Sequence, residues 1–314
     1  MCPSRSSARC SSPDSAGYTL IEVLVASILV AVVVLGMGRG FVFATRGWSN
    51  HQGRLQTQQS LRSAVAALSR EVRLAGACML PHSDTPPVDF QPLSGTHGAT
   101  TDSITVRANP RCAQAPVVAS GCASPCPTIP VATGSTAGFT AGMRAYILNG
   151  ARTSGEYFQI QSVTSSTIVP TSPILGDYPA PDAGGNFPSV FGIEERTFAV
   201  ATIGGVPTLT LQTRDLPQAG IVKGIDRLDI HYVLNRTYNA ATCDFQTGGS
   251  PNLCVVNLPG SAGDWLLVRV VTFTVDARSA AGVRASGTAD GFFHLTESFE
   301  ITPRNFVFPE NGRL

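Results

Sequence analysis

The chain has 314 residues, a formal net charge of +1, 43% hydrophobic residues and only 14% charged ones. That charge content lies well below the roughly 25% of ordinary soluble domains, so the surface has to be built from Ser, Thr, Gly and Asn, and the length leaves room for one sizeable core. A near-zero balance, with Lys223 the only lysine and aromatics at 7% without interleaved basic residues, leaves no electrostatic footprint for nucleic acid.

Residues 1–17 carry Arg5, Arg9 and many serines but no apolar core. They read as a cytoplasmic leader, because an ordinary signal peptide has its apolar region before the cut. From Tyr18 to Met37 the chain is apolar except for one acid, Glu22. About 20 helical residues at about 1.5 Å each span the roughly 30 Å of a bilayer core. A carboxylate there costs on the order of 2.5 to 3.5 kcal/mol at mid-bilayer and less near the interface, which makes it a functional candidate. A cut after Gly17 places the new amino group of Tyr18 one helical turn from Glu22. In a neighbouring copy the same carboxylate can neutralise an incoming amine. Arg39, Arg46 and Arg54 outnumber the leader arginines, so counting basic residues does not by itself place the C-terminal part outside. Secretory processing after Ala44, with Val42 and Ala44 flanking the cut, is an alternative.

Gly17-Tyr18-Thr19-Leu20-Ile21-Glu22 followed by an apolar helix resembles the class III signal of type IV pilins and type II secretion pseudopilins. The resemblance implies that a prepilin peptidase cuts between Gly17 and Tyr18 and that Tyr18 is N-methylated, although Phe is usual there. It also implies that Glu22 guides assembly into a helical filament.

Gly36, Gly38, Gly40 and Gly47 weaken the helix beyond the apolar run by about 1 kcal/mol each relative to Ala. Either a frayed membrane exit or a stretch that unwinds on packing accounts for them. From Ser49 to Ala77 helical periodicity returns. Leu61, Val65, Leu68, Val72 and Ala75 form one stripe, opposite Gln56, Gln59, Arg62, Ser63, Arg70 and Arg73, and Gly76 is the expected stop. The helix end Ser69-Arg70-Glu71-Val72-Arg73-Leu74-Ala75-Gly76, soon followed by Cys78, is similar to PilW-type minor pilins. The J-type pseudopilin ends its helix in a similar pattern.

Cysteines stand at 2, 10, 78, 112, 122, 126, 243 and 254. The cut after Gly17 leaves six, an even number that suits an exported, disulfide-stapled domain. Local pairing favours Cys122 with Cys126 and Cys243 with Cys254, leaving Cys78 for Cys112, one of about 15 connectivities. A metal site using Cys122, Cys126, His82 and His97 has poor zinc spacing.

Residues 81–100 and 170–188 read as loops, and 112–138 as a cysteine-bearing irregular stretch. Asp177, Asp182 and Asn186 lack the spacing of a calcium loop. Ser103–Arg107, Met143–Leu148 and Glu156–Val163 read as strands. So do Val190–Ala201, Thr208–Thr213, Gly224–Leu234, Trp265–Asp276 and Phe292–Thr302. Leu228, Ile230, Tyr232 and Leu234 share one face of their strand, with Asp229 and His231 on the other. The order of the last strands, through Trp265 to the closing Arg304-Asn305, also resembles PilW-like proteins.

No metalloprotease, Walker, nucleophile-elbow or dinucleotide motif is present, and the adjacent acids Glu194 and Glu195 point to opposite faces of a strand. No enzyme, cofactor or metal is expected. The expectation is an α+β, pilin-like fold: a leader (1–17), the membrane and assembly half of the long helix (18–44) and its amphipathic half (45–77). A variable loop-rich region (78–189) and a C-terminal antiparallel sheet (190–314) follow. The resemblance implies an inner-membrane subunit with an exported C-terminal domain. Its expected partners are prepilin peptidase, the lipid bilayer, other pilins through the N-terminal helix and the inner-membrane pilus assembly platform. The implied role is priming or capping a type IV pilus that serves adhesion, twitching or DNA uptake. A type II secretion pseudopilin, and a membrane-anchored binding protein outside any filament, are the alternatives.

Overall fold

The structure, a computed structural model, describes residues 18–79, 90–118, 120–213, 216–236, 239, 241–246, 253–279 and 292–303. The leader with Gly17, His82 and the closing Arg304-Asn305 lie outside the described residues.

Helix α1 runs unbroken over Leu20–Leu74 and passes through Gly36, Gly38, Gly40 and Gly47 without a kink in its assignment. A side chain placed at any of these four glycines would meet nothing within 4 Å. The chain divides into two compact units, Met1–Gln52 and Gly53–Leu314, and the division falls inside α1. The secondary structure is unbroken at that division. In the first unit the most apolar 18-residue window of the helix is wholly exposed. Glycine's cost is felt only where helix and coil compete on equal terms, and the apolar residues around Gly36 and Gly38 hold the helical period.

In the second unit α1 buries a stripe of Gly53, Thr57, Leu61, Ala64, Leu68, Val72 and Ala75. Ala64, not Val65, fills the second position of the expected apolar stripe, and Val65 is half-buried. Spacings of three and four residues keep this stripe on one face. At the C-terminal end Gly76 adopts φ 74°, the left-handed conformation that ends a helix without steric cost, and its amide donates to the Arg107 carbonyl at 2.9 Å.

The strands follow in chain order as β1 (Leu93–Thr96), β2 (Ser103–Ala108), β3 (Gln114–Pro116), β4 (Ile129–Pro130) and β5 (Arg144–Leu148). Next come β6 (Gly155–Val163), β7 (Thr167–Pro170), β8 (Ser189–Ile203), β9 (Val206–Thr213) and β10 (Ala219–Lys223). Then come β11 (Ile225–Asn235), β12 (Phe245–Gln246), β13 (Leu253–Val256), the short helix α2 (Ala262–Leu266), β14 (Val268–Arg278) and β15 (His294–Ile301). Every pairing is antiparallel. One sheet orders β1-β2-β8-β5-β6-β7-β4, with β3 and the β9-β10 pair also joined through β8, and the other orders β12-β13-β11-β14-β15. The stretch 190–314 thus contributes to two sheets where one was expected. Gly224, at φ 81°, turns the chain from the first into the second.

Strand β8 makes the large sheet possible by its length. Its first residues pair on both sides, Phe191 with Gln114 and with Tyr146, and its later residues pair with β2 and β9, Phe198 with Ile104 and with Leu211. The residues expected to form loops contain β1, β3 and β4, which are two to four residues long and too brief to show alternation. Trp265 belongs to α2 rather than to a strand. Ser261 caps that helix in a reciprocal box, its hydroxyl accepting from the Asp264 amide while the Asp264 carboxylate accepts from the Ser261 amide. This local cap overrides the strand-like composition of Trp265-Leu266-Leu267.

The main core joins the α1 stripe to both sheets: Ile104, Phe198 and Leu209 from one, Leu228, Ile230, Tyr232, Val271, Phe273 and Val275 from the other. A second core, around Ile129, Ile147, Ile160 and Ile168, lies wholly within 113–190. Disulfides join Cys78 with Cys112, Cys122 with Cys126 and Cys243 with Cys254, at sequence separations of 34, 4 and 11. Loop entropy ranks their contributions at about 4, 2 and 3 kcal/mol respectively. Replacing each pair by Ser in the detergent-solubilised chain and following chemical unfolding tests this order. A smaller loss for Cys78→Ser with Cys112→Ser than for Cys122→Ser with Cys126→Ser would contradict it.

Candidate functional site

The candidate site is the start of α1. Thr19 precedes the first helical residue, and its carbonyl accepts from the amides of Glu22 at 3.0 Å and Val23 at 3.3 Å. The Glu22 amide donates to the Thr19 hydroxyl oxygen at 3.4 Å, while Glu22 Oε2 accepts from the Thr19 amide at 3.4 Å and the Thr19 hydroxyl at 3.2 Å. This is a capping box, in which the two residues satisfy each other's otherwise unpaired amides. Such a cap contributes about 1 kcal/mol to a helix, and the positive end of the helix dipole favours the carboxylate there. Its signature, Thr19-x-x-Glu22, is written in the chain, but the isolation of the acid in an apolar run draws attention to its charge and away from its spacing. Tyr18 is 85% exposed, and Glu22 and the apolar residues that follow it are exposed throughout.

Elsewhere several titratable groups are engaged within the fold. Asp102, 3% exposed, accepts from the Gly98 amide at 3.0 Å and the Ile230 amide at 2.7 Å, and lies 2.9 Å from His97 Nδ1. With Asp229 these two residues form the one His/Asp/Glu/Cys grouping of metal-ligand compactness among the described residues. Asp229 accepts from Arg227 at 2.9 Å, and both Asp102 oxygens already hold backbone amides, so the cluster fastens the 97–102 loop to β11. Burial, reinforced by the charge of Asp102, pushes the Tyr232 phenol well above its ordinary range.

The remaining candidate ligands are separated. Cys122 and Cys126 are bonded to each other, and His97 pairs with Asp102. Asp182 Oδ1 accepts from the amides of Gly184 at 2.9 Å and Asn186 at 2.8 Å, as in a turn. His231 Nδ1 lies 2.8 Å from Asn257 Oδ1.

Glu194 and Glu195 serve separate ion-pair groups. Glu195 binds Arg107 at 3.3 Å and Arg144, and both guanidinium groups lie over the Tyr157 ring, at 5.8 and 4.8 Å. Glu194 meets Arg196 at 2.8 Å, and Arg196 also meets Glu71 of α1 at 2.6 Å. Burial lowers the proton affinity of the Arg196 guanidinium, but the hydrogen bonds and charges of Glu71 and Glu194 raise it above its ordinary value. Arg196 is therefore a fixed positive charge between helix and sheet. A cleft of 360 Å³ beside Arg111, Arg144, Glu194 and Glu195 is lined in part by this network.

Residues 13–38 match the family model described as the prokaryotic N-terminal methylation motif. No curated protein matches the chain. Among solved structures, a type IV-like pilin from Thermus thermophilus is similar over 80% of this chain and 98% of that chain, at 10% identity and a TM-score of 0.35, a likeness too faint to decide anything. The N-terminus carries a prokaryotic N-terminal methylation motif on a helix long and apolar enough to cross a membrane, followed by antiparallel β-sheets. The motif implies processing by a prepilin peptidase.

The contact of Glu71 with Arg196 is an electrostatic tie between helix and sheet. A double-mutant cycle of Glu71→Gln and Arg196→Gln, read by denaturant unfolding, is expected to give a coupling of about 1 kcal/mol. Additive losses would show that solvent screens the pair.

Proposed function

We propose that the protein is a non-enzymatic filament subunit, a minor pilin of the PilW-like kind that primes or caps a type IV pilus supporting adhesion, twitching motility or DNA uptake. The observation that carries this reading is Glu22, the sole charge of an exposed apolar helix face that begins within a prepilin methylation motif. The helix stores the subunit in the inner membrane and then exchanges lipid contacts for contacts with neighbouring pilin helices on the assembly platform. There Glu22 meets the amino terminus of a neighbour, and a subunit entering out of register leaves a charge unpaired, a large penalty in apolar surroundings. The β-sheet domain stays on the exported side, where disulfides persist.

A type II secretion pseudopilin is the second reading, favoured by the Glu71-Val72-Arg73 helix end that both groups share. Neighbouring genes for pilus assembly or for secretion separate the two. A membrane-anchored binding protein would keep its leader and tolerate loss of Glu22.

Two measurements test the filament reading. The N-terminal peptide of membrane-fraction protein is expected to begin at N-methylated Tyr18 only when the host's prepilin peptidase is present; a peptide beginning at Met1 or Thr45 would refute the reading. Glu22→Ala is expected to remain membrane-inserted and to fall at least about tenfold in sheared pilus fractions, the scale set by an unpaired charge. Undiminished incorporation would remove Glu22 from assembly.

A further inference from the structure

We infer that the cleft at the start of β8 is a binding site for an acidic sugar residue, a uronic acid, with Arg152 on its carboxylate, Phe187 against its ring face and the Gln114 and Asn186 amides on its hydroxyls. The inference goes beyond the filament reading and does not depend on it.

The cleft, 250 Å³ in volume, opens where β3 and β5 flank the first residues of β8, with Gln114 opposite Phe191 and Leu148 opposite Ser189. Leu148 and Phe191 are buried and give it apolar lining, while Arg152, Asn186 and Phe187 join from two loops. Each loop is held by a polar side chain of its own. Asn149 Oδ1 accepts from the amides of Thr153 at 2.8 Å and Ser154 at 3.2 Å, as Asp182 Oδ1 does from Gly184 and Asn186 in the other loop. The loops also meet closely: a Cβ at Gly150 would lie 2.6 Å from Asp182 Oδ2 and 2.7 Å from the Asn186 carbonyl oxygen. Arg152 sits in this frame at φ 61°, a conformation unfavourable for a residue with a side chain, and its amide donates to the Asn149 carbonyl at 3.0 Å.

The polar groups here differ from those of the cleft beside Glu194 and Glu195, where Arg111 and Arg144 already meet carboxylates. Arg152 is exposed and meets no acid or side-chain acceptor among the described residues, so its guanidinium fork is free for a carboxylate. The Asn186 side-chain amide, also without a hydrogen bond among the described residues, offers both a donor and an acceptor. Phe187 is 49% exposed and leaves an aromatic surface beside these groups. A uronic acid matches that combination, because its ring carries C–H groups on the face, hydroxyls at the edge and a carboxylate on the rim. The volume suits a single ring, since clefts for drug-sized ligands take about 300–1,000 Å³. A bare anion would use Arg152 alone.

The methyl glycosides of glucuronic acid, galacturonic acid and glucose, and inorganic phosphate, are titrated calorimetrically against the detergent-solubilised full chain. Wild type, Arg152→Gln, Phe187→Ala and Arg111→Gln are compared. Glutamine meets the same backbone requirement as arginine at an exposed position, so Arg152→Gln is expected to unfold at the wild-type midpoint and keeps the test readable should Phe187→Ala unfold. At least one uronic acid glycoside is expected to bind wild type at least about tenfold more tightly than the glucoside, the scale of one charge-assisted contact. Arg152→Gln is expected to remove that margin, Phe187→Ala to weaken the uronic acid glycoside about fivefold through lost apolar contact, and Arg111→Gln to change nothing. Binding of neither uronic acid glycoside would overturn the inference. So would phosphate binding as tightly as the better glycoside and indifferent to Phe187→Ala, which is an anion site only. An equal loss in Arg111→Gln would overturn it too, since binding would then belong to the other cleft. None of these results bears on the cut before Tyr18 or on Glu22, so the filament reading stands or falls separately.

Discussion

The folded unit depends on a shared contact: one face of the second half of α1 lies in a single core with residues from two different sheets. Leu61, Leu68 and Val72 are each buried to within 1% of fully, beside Phe198 of one sheet and Phe273 of the other. Among the described residues neither sheet has another helix of comparable length to cover it, since α2 has five residues. The small residues of that face in the shared core, Ala64 and Ala75, help both sheets fit against one helix, because a large side chain at either position would have to displace packed neighbours. The outward face of the same helix carries arginines and glutamines, so its burial is one-sided.

Polar contacts then set what apolar packing leaves free. Hydrophobic contact tolerates sliding by a fraction of a turn, whereas the Glu71–Arg196 pair and the Asp102 amide bonds do not. The first fixes α1 against β8, and the second fixes the β1–β2 loop against β11.

Much of the architecture was legible in the residues. The long helix shows itself by an apolar run and then by a stripe, and strands such as β11 alternate clearly because one side is buried and the other is wet. Leu228, Ile230 and Leu234 are fully buried, while Asp229 and His231 are only partly so. What escaped has physical causes. The short strands β1, β3 and β4 owe their form to partners distant in sequence, and no local pattern of two to four residues reveals them. Trp265 is helical despite its strand-like surroundings because a cap, a four-residue signal, outweighs composition. The same kind of signal stands at Thr19 and Glu22. In both cases the residues S/T-x-x-D/E were present, and apolar neighbours masked them. The division of the last third between two sheets hinges on Gly224, whose positive φ is not distinguishable by eye from the many other glycines.

One feature of the helix end has a mechanical meaning. Cys78 lies just beyond the Gly76 turn and is bonded to Cys112, past the end of β2. A tensile load drawn along α1 toward its N-terminus arrives at this covalent link, in parallel with the Gly76 amide bond to Arg107 and the Glu71–Arg196 pair. The C-terminal end of α1 therefore cannot be peeled from the sheet by breaking noncovalent contacts alone. Force passes from the helix through that link to the chain just past β2, a strand of the large sheet.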